Sequence, residues 1–369
     1  MKVLIAGGGT AGHINPGISI AKHIKDKNPD ARIVFAGTKR GLETVLVPRE
    51  GFELRLITVR GFKRKLSADT FIAVKELFQG IIEARRIIKD FKPDVVIGTG
   101  GYVCGPVLFT ASRMKIPTLI HEQNAFPGVT NRILSRFVNA VAISFKESKD
   151  YFKPAKALSF TGNPVRQEMA SANRTEARKN LGLPLDQRVV VVMGGSRGAE
   201  RINDTVADMV LKNLKDNGCR LVFATGEGQF ERVNNRLKDA NPQYVQVVPY
   251  IYDTANVMAS ADLVICRAGA ITTSELTVLG VPSILIPSPY VTANHQEYNA
   301  RALEKQGAAV VILEKDLSCD ILYNQMTELL KDKEQLAKMS RNAKKMGISN
   351  ACEKIYEIIT EITNTAREI

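Results

Sequence analysis

Lys2-Val3-Leu4-Ile5-Ala6 runs straight into Gly7-Gly8-Gly9-Thr10-Ala11-Gly12-His13, and this junction decides the fold. A short apolar run that ends in glycines and opens a helical pattern reads as strand, loop and helix. Its backbone N–H groups and the positive end of the helix surround a pocket suited to phosphate. The pattern recurs at Gly98-Thr99-Gly100-Gly101 after Asp94-Val95-Val96-Ile97, and at Gly194-Gly195-Ser196-Arg197-Gly198-Ala199 after Val189-Val190-Val191-Val192-Met193. One glycine loop serves any tight turn. Two loops early in the chain and one about 190 residues in predict two nucleotide-fold halves facing each other.

Outward from these loops the chain alternates strand and helix. Apolar runs at 2–6, 31–36, 94–97, 117–120 and 140–144 alternate with helical patterns such as 16–27 and 70–90. The alternation restarts with runs at 189–193, 219–224, 245–249, 262–266, 282–287 and 308–312. Short, nearly continuous apolar strands between helices predict parallel sheets covered on both faces. The expected fold is α/β, with two Rossmann-like parallel-sheet domains facing a cleft. Ligands of such sheets bind at the carboxyl ends of the strands, where all three glycine loops fall. Thr161-Gly162-Asn163-Pro164 interrupts both periodicities, which places the domains at 1–163 and 164–344. The charge-rich helical tail, from about 345 to 369, is expected to pack back on the first domain.

At 369 residues the chain exceeds a typical single core, and 44% hydrophobic with 24% charged residues is ordinary for a globular protein. No apolar run approaches the roughly 18–20 residues of a membrane span. The opening apolar stretch is too short for a signal peptide and reads as the first strand. The five cysteines (104, 219, 266, 319 and 352) are scattered and form no C-x-x-C pair, which argues against disulfides or a zinc knuckle. Charge is uneven. Residues 1–160 carry 26 Lys and Arg against 13 Asp and Glu, while residues 161–369 carry 25 of each. The whole excess of +13 belongs to the first half, which is expected to meet an acidic partner, either nucleic acid or anionic lipid, or else to present a basic solvated face.

Among the four histidines, His13 stands in the first loop just ahead of the expected helix start at Ile14-Asn15-Pro16. There it serves either as general base or as a helix cap or phosphate ligand. His121, at the end of a strand, either lines the cleft or makes a structural hydrogen bond; His23, mid-helix, reads as surface. Ser196 and Arg197 join loop amides where a pyrophosphate fits. Glu275 closes a further strand-to-helix junction, Cys266-Arg267-Ala268-Gly269-Ala270-Ile271-Thr272-Thr273-Ser274-Glu275. It either favours the helix dipole or accepts both hydroxyls of a ribose. No two aspartates are one residue apart, so no Asp-x-Asp metal site exists, and no cofactor or metal is expected. A diphosphate leaving group would then rely on Arg166, loop amides and helix dipoles.

These motifs taken together (GGGTAGHINP, IGTGGYVCGP, HEQNAFPGVTNR, TGNPVR, MGGSRGAERIN and the ICRAGAITTSELTVLGVPSILIP…NHQEYNA block) resemble the MurG family from residue 1 to about 301. Its members transfer N-acetylglucosamine from UDP-N-acetylglucosamine to undecaprenyl-pyrophosphoryl-N-acetylmuramyl-pentapeptide. The resemblance implies a GT-B fold, an inverting reaction without metal, and action at the cytoplasmic face of the plasma membrane as a peripheral protein. It implies that Thr10, Ala11, Gly12 and Asn124 meet the sugar nucleotide, and that Arg166 and Ser196 hold the diphosphate. It further implies that backbone at Ile251 reads the uracil, Glu275 the ribose and Gln296 the sugar hydroxyls, within a donor site that includes Ala270, Ile271, Thr272, Thr273 and Ser274. Ala11 departs from members with glycine there, which narrows the backbone options.

The basic half then gains a reason, since the inner leaflet around a lipid acceptor is anionic. Arg60-Gly61-Phe62-Lys63-Arg64-Lys65-Leu66 and the following Phe71, Ile72, Val74, Leu77, Phe78, Ile81, Ile82, Arg85 and Arg86 mix cations with apolar side chains, as a membrane-surface helix needs. The same pattern also describes a helix packed on its sheet. Two rivals stand beside this reading: a GT-B transferase acting on another acceptor such as diacylglycerol, and a nucleotide-sugar sensor or nucleic-acid binder. Against nucleic acid, aromatics are 6% and tryptophan is absent. A dehydrogenase is disfavoured, although Gly7, Gly9 and Gly12 satisfy G-x-G-x-x-G, because the loop runs directly into a histidine.

Overall fold

The computed structural model describes residues 1–61, 68–195, 197–213, 219–240 and 243–368. They form two compact units, Met1–Val165 with Asn350–Ile369, and Arg166–Ser349.

Unit 1 runs β1 (Lys2–Gly7), α1 (Ala11–Lys27), β2 (Arg32–Gly37), α2 (Glu43–Arg49), β3 (Glu53–Leu56), α3 (Ala68–Phe91), β4 (Val95–Gly100), α4 (Cys104–Arg113), β5 (Thr118–Glu122), α5 (Val129–Leu134), β6 (Ala140–Ile143) and β7 (Leu158–Phe160). Its sheet has the order β3-β2-β1-β4-β5-β6-β7, and every pairing is parallel. Val3, Leu4, Ile5, Val95, Val96 and Ile97 are fully buried because helices cover both faces of the central strands. The order reverses between β1 and β4. The crevice at their carboxyl ends is where such sheets place ligands.

Two strands lay outside the apolar pattern. β3 (Glu-Leu-Arg-Leu) and β7 (Leu-Ser-Phe) are the sheet's edges, half exposed and partly polar, so neither reads as an apolar run. The expected start of α1 is also corrected: the helix begins at Ala11, so His13 lies in its first turn and Pro16 sits inside it. β4 likewise continues three residues past Ile97, through the glycines to Gly100.

The register of β1 against β4 slips between Ala6 and Gly7, which pair with Gly98 and Gly100. Thr99 is the extra residue. Bulges of this kind re-aim groups beside functional sites.

The C-terminal helix closes unit 1. Ile355 and Ile359 of this last helix (Ala351–Arg367) enter the cluster that holds Ile14, Ile20 and Ile24 of α1. His23, expected at the surface, is half-buried there instead. Its Nε2 lies 3.1 Å from Glu353 Oε2, and its ring meets Tyr356 edge-on.

Unit 2 runs α6 (Gln167–Ser171), α7 (Arg174–Asn180), β8 (Arg188–Met193), α8 (Glu200–Asn213), β9 (Cys219–Ala224), α9 (Phe230–Arg236), β10 (Val245–Val248), α10 (Thr254–Ser260), β11 (Leu263–Cys266), α11 (Ala270–Leu279), β12 (Ser283–Leu285), α12 (His295–Lys305), β13 (Ala309–Val311), α13 (Cys319–Lys331) and α14 (Lys333–Met346); the closing helix of unit 1 is α15. Its parallel sheet has the order β10-β9-β8-β11-β12-β13 and reverses between β8 and β11. Arg178 is fully buried, and its guanidinium donates to Asp262 Oδ2 at 2.8 Å and to the carbonyls of Pro184, Leu185, Gln187 and Ser260. A buried charge costs several kcal/mol unless every donor is met, and here each nitrogen has an acceptor.

Candidate functional site

In unit 1 the candidate residues gather at the carboxyl ends of β1, β4 and β5. Gly9 turns the chain out of β1 with a φ of +86°. Its amide donates to Glu43 Oε2 at 2.8 Å, while Glu43 Oε1 accepts from the amide and hydroxyl of Thr38. The first glycine loop therefore carries a buried carboxylate of its own. The helix start beyond it is different: the amides of Ala11 and Gly12 have no partner among the described residues, and Thr10 caps α1 without a side-chain bond. Thr10 and Gly12 are exposed and Ala11 is half-buried. This leaves two first-turn N–H groups open to an oxygen ligand.

His13 is half-buried with its ring against Gly100. A Cβ at Gly100 would come within 2.4 Å of Nδ1, and Gly100 has a φ of +114°, so both space and backbone demand glycine. His13 Nδ1 lies 3.2 Å from Gln123 Oε1. The His13 carbonyl accepts from Thr99 Oγ1 at 2.7 Å, which ties the first turn of α1 to the bulge in β4.

His121 is fully buried on β5, with Nε2 3.1 Å from the Gly162 carbonyl, and burial pushes its pKa down to about 4. It is neutral at pH 7, and of its two expected roles it takes the structural one. Asn124 is half-buried, its amide and Nδ2 donating to Glu122 Oε1 at 3.0 and 3.1 Å. The other oxygen of Glu122 accepts from Gly128 N and Asn131 Nδ2, so this buried carboxylate shapes the loop that presents Asn124.

In unit 2 the structure brings Arg166 and Glu275 together. Arg166 Nη2 lies 3.3 Å from Glu275 Oε1 and also donates to Thr254 Oγ1. Burial raises the pKa of Glu275, and the neighbouring Arg166 opposes that rise. Three residues before α10, Ile251 buries its side chain, while neither its amide nor its carbonyl is taken by another group among the described residues. A donor and an acceptor on one residue match the imide edge of a pyrimidine.

The residues of α11 divide by geometry. Thr273 is fully buried and Ser274 half-buried, and their hydroxyls bond back to the Gly269 and Ala270 carbonyls. Ala270, Ile271 and Thr272 form the half-exposed first turn; the Ile271 and Thr272 amides have no partner among the described residues, and the helix dipole there favours an anion. Gln296 opens α12, with Oε1 accepting from Ser288 N at 2.9 Å. The preceding Ala293 and Asn294 hold φ of +53° and +54°, a strained pair in the loop that delivers Gln296. Ser196 lies outside the described residues; its neighbour Arg197 is exposed.

Among the described residues, no three His, Cys, Asp or Glu side chains stand together as a metal-binding set. Cys104, Cys219 and Cys266 are buried, and burial pushes each thiol up to about 12. Sequence reading overlooked Glu43, Thr99, Gln123 and Thr254 as supporting groups. Gln123 was the most accessible of them, because it stands between His121 and Asn124.

Residues 3–143 match the glycosyltransferase family 28 N-terminal domain, and residues 189–355 match the glycosyltransferase family 28 C-terminal domain. The chain belongs to glycosyltransferase family 28. It is 66% identical over 362 residues, 98% of each chain, to the UDP-N-acetylglucosamine–N-acetylmuramyl-(pentapeptide) pyrophosphoryl-undecaprenol N-acetylglucosamine transferase of Acetivibrio thermocellus. The enzyme of that name from Ruminiclostridium cellulolyticum is 60% identical over 98% of this chain and 100% of its own length. The crystal structure of Acinetobacter baumannii MurG superposes with a TM-score of 0.81 at 30% identity, covering 98% of this chain and 99% of that one. This family 28 chain has the GT-B fold, with one parallel-sheet Rossmann-like domain in each unit.

Proposed function

We propose that the chain transfers N-acetylglucosamine from UDP-N-acetylglucosamine to the 4-hydroxyl of undecaprenyl-pyrophosphoryl-N-acetylmuramyl-pentapeptide, with inversion. The 66% identity across 98% of both chains with a transferase named for that reaction carries the proposal. Unit 2 contributes the donor site in this reading: Ile251 backbone for uracil, Glu275 for ribose, Arg166 with the α11 amides and Ser196 for diphosphate, and Gln296 for sugar hydroxyls. Unit 1 contributes the acceptor side, and its Thr10, Ala11, Gly12 and Asn124 also meet the sugar nucleotide.

His13 acts as the general base. Its Nε2 takes the proton of the acceptor hydroxyl as that oxygen bonds to the anomeric carbon from the face opposite UDP. The bond from anomeric carbon to UDP breaks, and its electron pair leaves on the diphosphate, where Arg166 and helix-terminal amides receive the charge without a metal. The test is incubation with UDP-N-acetylglucosamine and a lipid-linked muramyl-pentapeptide, with and without EDTA. Disaccharide product in both is expected. No transfer overturns the reaction, and a strict need for Mg²⁺ or Mn²⁺ overturns the metal-free leaving group.

Unit 1 also carries a surface suited to the anionic inner leaflet. On α3 the positions 71, 75, 78, 82, 85 and 89 recur at three- and four-residue spacing, so Phe71, Lys75, Phe78, Ile82, Arg85 and Lys89 form one exposed stripe. Phe71 is 81%, Phe78 64% and Ile82 54% exposed, while Ala73, Ala84 and Ile88 are buried. One face of α3 is buried through Ala73, Ala84 and Ile88, and the other carries the exposed stripe that the membrane reading needs. Arg60, counted among the membrane cations, is instead turned onto Glu76, with Nε 2.6 Å from Oε2; Lys63, Arg64 and Lys65 lie outside the described residues. No helix among the described residues is long and apolar enough to cross a membrane. The proposed attachment is therefore peripheral, through apolar insertion and cationic attraction at the cytoplasmic face.

A further inference from the structure

A neutral imidazole can serve as a base through only one of its two nitrogens, and the group bonded to the other decides which. His13 faces Gln123, and the surroundings of Gln123 leave its amide a single orientation. Its Nε2 lies 2.8 Å from the Thr99 carbonyl, 3.0 Å from the His121 carbonyl and 3.0 Å from His121 Nδ1. A flipped amide would set its oxygen against two carbonyl oxygens. The amine end must face them, and Oε1 must face His13 Nδ1 at 3.2 Å.

The far side of His121 agrees. Its Nε2 lies 3.1 Å from the Gly162 carbonyl, an acceptor only, so Nε2 carries the hydrogen and Nδ1 is left to accept from Gln123. Ser144 Oγ lies 3.2 Å from the same Nε2, and its own hydrogen has the Glu122 carbonyl at 2.8 Å and Asn163 Oδ1 at 2.9 Å. Asn163 Nδ2 in turn donates to the Gln123 carbonyl at 3.0 Å and fixes its backbone. His121 and Gln123 are both buried, so water does not relax this order.

We infer that Gln123 is a positioning residue that holds His13 in the Nδ1-protonated tautomer and leaves Nε2 as the basic atom. The direction runs from the Gly162 carbonyl through His121 and Gln123 to His13. The Thr99 bulge belongs to the same device, because the displaced residue offers its carbonyl to Gln123 and its hydroxyl to the His13 carbonyl. Among the described residues no protein group takes His13 Nε2. The inference rests on the reading of His13 as base, and the two fail by different results.

The experiment records 15N chemical shifts of 15N-histidine-labelled protein above the titration of His13, with its signals assigned by their absence in His13→Ala. A pyrrole-type Nδ1 and a pyridine-type Nε2 are expected, and a hydrogen on Nε2 overturns the inference. Gln123→Met keeps the length and removes the acceptor. It should move the His13 signals toward a tautomer mixture and lower kcat by about 10- to 100-fold, as loss of a partner that orients an imidazole typically does, with KM for UDP-N-acetylglucosamine unchanged. Activity lost with the tautomer unchanged makes Gln123 merely structural and overturns the inference. So does a mixed tautomer with kcat near the parent. If Gln123→Met does not fold, the parent shifts still decide. A His13→Ala enzyme with near-parent kcat sinks the base reading, whatever the shifts show.

Discussion

Replacing Glu275 by alanine should weaken UDP binding by about 5- to 150-fold. Glu275 is 8% exposed and has Arg166 Nη2 at 3.3 Å. Two ribose hydroxyls that share one buried carboxylate with Arg166 are credited together with one full charge-assisted bond, about 1.5–3 kcal/mol. Against that gain stands the Arg166 contact, which the ribose must share. Arg166 has half its side chain exposed, and ion pairs at that level of screening contribute about 0–1 kcal/mol. The net loss is then about 1–3 kcal/mol, the fold-change above at 1.4 kcal/mol per decade. Calorimetric titration with UDP reads it directly. Glu275→Gln keeps the volume and an acceptor oxygen but loses the charge, and should fall between alanine and the parent. With 2′-deoxy-UDP one donor is gone, so the cost of the substitution should shrink. The pH dependence follows from burial, which raises the Glu275 pKa above the ordinary 4.5. The ionised form accepts the hydroxyls, so affinity is full above that raised pKa. It is lost as pH falls through it, beginning higher than for an ordinary glutamate, and Glu275→Gln should show no such loss. Parent-like UDP affinity in Glu275→Ala, or an equal cost with 2′-deoxy-UDP, would refute the ribose assignment.

Three further outcomes are expected. His13→Ala should lower kcat by about 10²–10⁴-fold, the usual worth of a placed base, with UDP affinity unchanged; a loss confined to donor binding would make His13 a ligand instead. Neutralising Lys75, Arg85 and Lys89 together should weaken sedimentation with anionic vesicles by about 1 kcal/mol per charge, an effect that 1 M salt should reproduce; unchanged binding places the membrane contact elsewhere. Asp262→Ala should destabilise unit 2 by about 3–5 kcal/mol, because it strands the buried Arg178 guanidinium, and a denaturation midpoint near the parent's would contradict that. Burial alone would raise the Asp262 pKa, but the Val189 amide with Arg174 and Arg188 brings it below 3.8. Its contribution is therefore present above the unfolded value and disappears as pH falls through the lower folded one.

What was legible in the chain followed from burial. Strands with helices on both faces, such as Val189–Met193, read as continuous apolar runs because both sets of alternating side chains are covered. β3 and β7 did not, because an edge strand keeps one side open to solvent and tolerates Glu53, Arg55 and Ser159. The start of α1 was misplaced for a related reason. Its first turn, Ala11-Gly12-His13, carries no capping side-chain bond and two weak helix signals, so Pro16 looked like the first firm position.

The candidate site was legible only as far as residue chemistry announces itself. His13, Arg166 and Glu275 are titratable groups beside loops, and reading finds such groups. Glu43, Thr99 and Gln123 act by occupying donors and acceptors of the backbone, and nothing in a linear chain marks which amide they meet. The first glycine loop shows the consequence. From sequence it was one of three equivalent phosphate cradles, yet Gly9 N–H holds Glu43 at 2.8 Å. A second anion there would face a buried carboxylate. In unit 1 the Ala11 and Gly12 amides have no partner among the described residues, and they share the first turn of α1 with a histidine whose Nε2 is set from behind by Gln123. A loop that carries its own anion suits a neutral hydroxyl nucleophile better than a diphosphate. In the proposed reading, the first-turn amides beyond that loop meet neutral sugar groups, while Arg166 of unit 2 receives the charge of the leaving group.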